Sequence, residues 1–211
     1  MKKISRILLV VASLLLIGSL FLPLWKITLD APQYPEGLGL YIWSHSITGE
    51  KPNDLRNING LNHYIGMKLI EPTSIPELKI MPFIIAFLSL LGLLAAILNK
   101  KGLLYTWMIL FILLGIVGLA DFYKWEYDYG HNLNPHAAIK VPGMAYQPPL
   151  IGSKKLLNFN ATSIPAAGGW LLFGSIALGL AAIYLSTSKS SKNQIKQEAS
   201  NAQTMGVLGS F

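Results

Sequence analysis

The side chains that could do chemistry are concentrated in two segments. All four histidines lie in residues 26–80 and 121–164, with His45 and His63 in the first and His131 and His136 in the second. Met67 follows His63, and Met144 follows His136 in the same segment. Neutral imidazole is a borderline ligand and thioether a soft one. A mixed shell of the two suits copper, Cu(I) above all, better than the hard cations magnesium and calcium. His63, Met67, His131, His136 and Met144 are therefore the candidate metal ligands, and His45 is the weakest of the histidines. His63 and Met67 would share a face if their stretch is helical. His131 and His136, with Pro135 between them, converge only through a turn. The spacing matches no established metal motif. The competing account is ordinary: loop histidines make hydrogen bonds, and methionines beside membrane helices fill packing gaps.

Other chemistries have less to stand on. The chain has no cysteine, which excludes disulfides, thiolate metal sites and thiol redox chemistry. Ser44-His45-Ser46 lacks the glycine context of a nucleophile elbow. Glu126 and Asp128, two apart, would point to different faces of a helix, and their expected role is solvated charge or pairing with Lys124 or Lys140. No catalytic residue and no enzymatic turnover is expected.

The elements that must position these residues are read from four charge-free apolar stretches, Ile7 to Trp25, Met81 to Leu98, Leu103 to Ala120 and Pro165 to Leu185. Each has about the length a helix needs to cross roughly 30 Å of hydrocarbon. A soluble chain of this size could not cover four helices that are apolar on nearly every face. The expected fold is an integral membrane α-helical protein: a four-transmembrane-helix bundle carrying a small mixed α/β extracytoplasmic cap built from two long loops. The expected order is an amino terminus and first span (1–25), outer loop (26–80), second span (81–98), cytoplasmic turn (99–102), third span (103–120), outer loop (121–164), fourth span (165–185) and flexible cytoplasmic tail (186–211). Gly92 to Ala96 and Ser175 to Gly179 carry small-residue spacings, expected to serve packing within the bundle.

Charge sets the orientation. Lys2, Lys3, Arg6, Lys100, Lys101, Lys189, Lys192 and Lys196 flank the spans on one side with a single acid, Glu198. The two long loops hold nine bases against nine acids, so the net charge of +7 lies wholly on the first side. The positive-inside rule places that side, and both termini, in the cytoplasm. These bases form no aromatic-interleaved patch, and nucleic acid is not an expected partner. The lipid bilayer is.

Within the first loop, residues 26–29 and 38–43 read as strands around a turn-rich 31–37. Asp54 to Lys68 reads as a short helix with Asp54 as its cap, interrupted at Asn59-Gly60. The third helix is expected to continue beyond its span to Gly130 through Phe122, Tyr123, Trp125, Tyr127 and Tyr129. After Gly130 the second loop, rich in proline, is expected to be irregular and to pack on the first.

Several strings carry a resemblance: Ala31-Pro32-Gln33-Tyr34-Pro35, Leu61 to Met67, Tyr127 to Leu133, Pro135-His136-Ala137 and Pro148 to Lys154. Over most of residues 1–187 the chain resembles a little-described bacterial four-helix inner-membrane family, associated with gene neighbourhoods for periplasmic copper delivery and nitrous oxide reductase maturation. That resemblance implies the bacterial inner membrane and a copper-handling accessory role toward a periplasmic or membrane protein partner. A different class of function is an assembly subunit without metal, docking a respiratory or secreted partner through its proline-rich second loop. A third reading is quinol or lipid binding at the outer rim, walled by Trp25, Trp125, Trp170 and Tyr123, although interfacial anchoring explains those aromatics without a ligand.

Overall fold

The computed structural model describes residues 1–156 and 158–208; the last three residues of the expected tail lie outside them. The elements are α1 (Lys3–Ser19), β1 (Trp25–Ala31), β2 (Tyr34–Ile42), β3 (Ile47–Gly49), α2 (Asp54–Ile65), α3 (Glu77–Leu98), α4 (Lys101–His131), β4 (Gly152–Leu156), β5 (Phe159–Pro165) and α5 (Ala167–Leu208). Two expectations change at the outset. The first apolar stretch does not stay helical to Trp25: α1 ends at Ser19, and Trp25 opens β1. Where the composition predicts a flexible tail, α5 runs on to Leu208. That stretch has no proline, and its lysines and glutamines are good helix formers.

Three helices are long and apolar enough to cross a membrane: α3, α4 and the Ala167–Thr187 part of α5. Their outer surfaces carry large apolar side chains in the open, with Phe83 74%, Ile97 69% and Val117 63% exposed. Water would tolerate such a surface poorly, whereas lipid tails match it.

The helices pack around Trp107. This fully buried ring donates its indole N–H to the Leu88 carbonyl at 2.8 Å. Gly92 and Gly179 leave room for it, since a Cβ at either would collide with the Trp107 ring, and with Ser13 or Met108 as well. Both small-residue spacings are thus used within the bundle. Ser175 joins α5 to α1 by donating to the Ala12 carbonyl at 2.9 Å.

At the end where α1 emerges and α5 begins, both long loops contribute to one antiparallel sheet in the order β3-β2-β1-β5-β4. The strand expected at 26–29 extends to Ala31. The one expected at 38–43 begins at Tyr34 and takes in most of the predicted turn. Period-two alternation in β1 buries Trp25 and Ile27 against Leu38, Leu40, Ile47 and Ile58. Sequence reading missed the β4–β5 hairpin. Gly152-Ser153-Lys154-Lys155 lacks apolar alternation, and β5 is held by distant pairing with β1, from Trp25↔Pro165 to Asp30↔Asn160.

Placing α2 on the sheet requires Asp54 in an unexpected way. It does not cap α2; its buried carboxylate accepts the backbone N–H groups of Gly39 at 2.9 Å and Lys51 at 3.2 Å, tying α2 to β2. Nor does Asn59-Gly60 break the helix. Asn59 spends its amide on a reciprocal pair with Ile70 and does not compete for the backbone of α2.

The glycines generate opposite expectations. Gly179→Leu should lower the stability of the detergent-solubilised protein by about 1–3 kcal/mol through overpacking against Trp107. Gly60→Ala, in an open helical position, should leave stability unchanged or raise it by up to about 1 kcal/mol. Thermal unfolding of both variants checks this; equal effects would contradict the packing described.

Candidate functional site

The far end of α4 and the end of α2 build the surface that carries three of the four histidines. Two backbone bonds join the loop that follows α4 to the end of α2: Asn134 N–H to the Gly66 carbonyl at 2.7 Å and Ile139 N–H to the Tyr64 carbonyl at 2.9 Å. Gly66 sits at φ +84°, and a Cβ there would press on Ala137 and on the Asn134 backbone, so both the turn and the close approach need glycine. Asp128 adds a salt bridge to Lys68, and the Tyr129 hydroxyl donates to the Leu69 carbonyl at 3.1 Å. The second loop thus packs on the first, as expected, and α4 does extend to His131.

The predicted ligands are distributed as follows. His63 is exposed in the last turn of α2, its ring edge-on to Tyr64. Met67 does not share its helical face. The helix ends at Ile65, Gly66 turns the chain, and Met67 packs half-buried against the sheet core. His131 ends α4, stacked on Tyr127 with ring centroids 3.9 Å apart. Its Nδ1 lies 3.0 Å from the Tyr127 carbonyl, a bond that requires the proton on Nδ1 and leaves Nε2 as the lone-pair nitrogen of the neutral ring. His136 is exposed in a turn held by the Asn134 side chain. Met144, half-buried in a turn closed on Val141, lies just before Tyr146, whose N–H returns the chain to the Gly130 carbonyl at 2.9 Å. The backbone therefore gathers the segments bearing His63, His131 and His136. His45 lies apart, beside Trp43 after β2. Among the described residues, no three histidine or carboxylate side chains cluster to hold a metal ion.

The aromatic residues expected to wall a rim pocket separate into two groups. Trp25, Phe122, Trp125 and Tyr129 form a continuous aromatic run in the sheet core, with centroids 5.6, 6.5 and 4.1 Å apart in turn. Trp25 also donates to Ser163 at 2.7 Å. Trp170 and Tyr123 instead stand exposed. Trp25 and Trp125 are thus committed to packing.

Glu126 departs most from expectation. It is neither solvated nor paired with a lysine; it is fully buried, and both carboxylate oxygens lack a hydrogen-bond partner. The helical stripe Phe122, Glu126, Tyr129 and Gly130 explains why, since these positions share the face that meets the sheet and the returning 146–147 segment. Read as a helix face, this stripe was the available signal. Glu126 lies beyond the apolar run that ends at Ala120, and burial pushes its carboxyl up from 4.5 to about 8. Tyr146, whose backbone N–H bonds to Gly130, also has a buried and unpartnered hydroxyl. Asp128 behaves oppositely, because the Lys68 ammonium, and then the Asn132 amide, hold its carboxyl below the usual range.

No protein-family model matches the chain, and no curated protein resembles it in sequence.

Glu126 makes stability depend on pH. The folded state keeps its proton while the unfolded chain releases it, so the advantage is complete in acid and is lost as pH rises from 4.5 through about 8. The loss approaches about 1.4 kcal/mol per pH unit for one proton. Glu126→Gln should flatten that slope in unfolding measurements across the window. Parallel profiles for both proteins would show that Glu126 is ionised or solvated in the folded state.

Proposed function

We propose that the chain is a membrane-anchored accessory protein that docks a partner protein on a preorganised face of its sheet domain, outside the cytoplasm. In this reading α1 is a fourth span. Its 17 residues lie at the short end of what a bilayer needs, and the apolar Leu20, Phe21 and Leu22 lengthen it. The basic residues then face the cytoplasm and the sheet forms a cap on the opposite side.

The single observation that carries the docking role is the way the 132–146 segment is fixed. Backbone bonds from Asn134, Ile139 and Tyr146 pin a proline-bearing loop to α2 and α4, while Tyr64 and Ile139, joined by one of those bonds, and Val141, two residues on, remain exposed. An apolar, already ordered surface loses little entropy on binding. A photo-crosslinker at Ile139 should capture a discrete protein in membranes, whereas one at Ile116 should capture only lipid. Ile139→Ser with Val141→Ser should weaken the capture by about tenfold. Equal labelling from both positions would refute the docking role.

A second reading is favoured by His131, whose Nδ1 bond to a carbonyl is the orientation that frees Nε2 for a soft cation. With His63 and His136 on neighbouring segments, the donors fit low-coordinate, exchangeable Cu(I) better than a resident divalent ion. This matches the copper-handling accessory role that the resemblance implies. Titration of Cu(I) against a competing chelator should give binding that His63→Ala, His131→Ala and His136→Ala together weaken by about tenfold or more. Unchanged binding in the triple variant would remove copper from the account. Sidedness has its own check: a reporter active only outside the cytoplasm should work after Ser74 or Gly152 and fail after Lys101.

A further inference from the structure

The end of the bundle remote from the sheet carries a second feature, a groove of about 350 Å³ between α1 and α3. Its polar end is Lys3 and Arg6, and its floor and sides are Ile7, Val10, Val11 and Ile97. Arg6 donates from Nε to the Ala96 carbonyl at 2.9 Å, which fixes the guanidinium beside the last turn of α3 and leaves its two terminal amino groups as donors. Neither Lys3 nor Arg6 has an acidic partner among the described residues. The surroundings reinforce this charge. Residues 1–29 and 78–120 hold no acid, while Lys2, Lys100 and Lys101 lie at the same end. Ile7, Val11 and Ile97 are exposed, so the apolar part of the groove opens sideways, along the helices.

We infer that this groove binds one anionic phospholipid, its phosphate against Lys3 and Arg6 and an acyl chain along Ile7, Val10, Val11 and Ile97. The inference rests on the membrane reading proposed above but not on which side of the membrane the groove faces. A cationic rim joined to an apolar trough complements both halves of such a lipid, whereas a free phosphate would satisfy only the rim.

The test is made on the full chain purified in detergent, with thermal unfolding and native mass spectrometry as readouts. Phosphatidylglycerol should raise the unfolding midpoint and remain bound at concentrations where phosphatidylcholine does neither. Lys3→Gln and Arg6→Gln should each weaken phosphatidylglycerol binding by about fivefold. Val11→Trp, which obstructs the trough and keeps the charge, should also weaken it, separating a lipid from a bare anion. Equal responses to the two lipids, wild-type binding in all three variants, or full stabilisation by inorganic phosphate alone would each overturn the proposal. If instead the chain is recovered in the soluble fraction without detergent, the membrane reading itself has failed.

Discussion

Pairing between β1 and β5 is the constraint on which the rest of the molecule depends. Only residues 20–24 separate α1 from β1, and only Ala166 separates β5 from α5. An antiparallel ladder from Trp25↔Pro165 to Asp30↔Asn160 therefore delivers α1 and α5 side by side. The junction is tight: Ala166 donates to the Leu24 carbonyl at 3.0 Å and Gly168 to the Pro23 carbonyl at 2.8 Å, with no room for a Cβ at Gly168 or Gly169. The sheet and bundle are consequently continuous, and a shift in one strand would be felt along a helix.

The second connection runs through α4, which contributes Trp107 to the bundle core near its start and enters the sheet core near its end through Phe122, Trp125 and Tyr129. Between these contacts the helix is largely exposed from Ile112 to Ala120. Glu126 lies where α4 re-enters the protein. Burying an unpartnered carboxyl is tolerated because the group can keep its proton, and the cost then depends on pH. The two ends of the molecule thus differ chemically. One buries an unpartnered carboxyl and displays imidazole, and the other holds unpaired basic charge against apolar helices.

Much of this organisation was legible from local pattern. The three spans over α3, α4 and α5, the extension of α4 to His131, the strands in the first loop and the packing role of Gly92 and Gly179 follow from hydropathy, aromatic placement and small-residue spacing. The β4–β5 hairpin was not, because β4 is polar and β5 is specified by a partner more than 100 residues away. At the site, the sequence places the histidines in two segments but does not show that Gly66 ends α2 and turns Met67 away from His63. The burial of Glu126 is legible only from its helical face, which it shares with Phe122, Tyr129 and Gly130, and not from its charge.

Whether the two loops form one sheet in this register is tested most directly by a cross-link, which the cysteine-free chain permits without background. Thr28 and Thr162 face each other across β1 and β5. Facing residues on paired antiparallel strands lie within disulfide reach, and a one-residue slip would move the side chains to opposite faces. Thr28→Cys with Thr162→Cys should form an intramolecular disulfide in membranes, read as loss of free thiols and a mobility shift that reductant reverses, while Thr28→Cys with Ala161→Cys should not. Thiols that stay free in the first pair, or an efficient cross-link in the second, would contradict the ladder that joins sheet to helices.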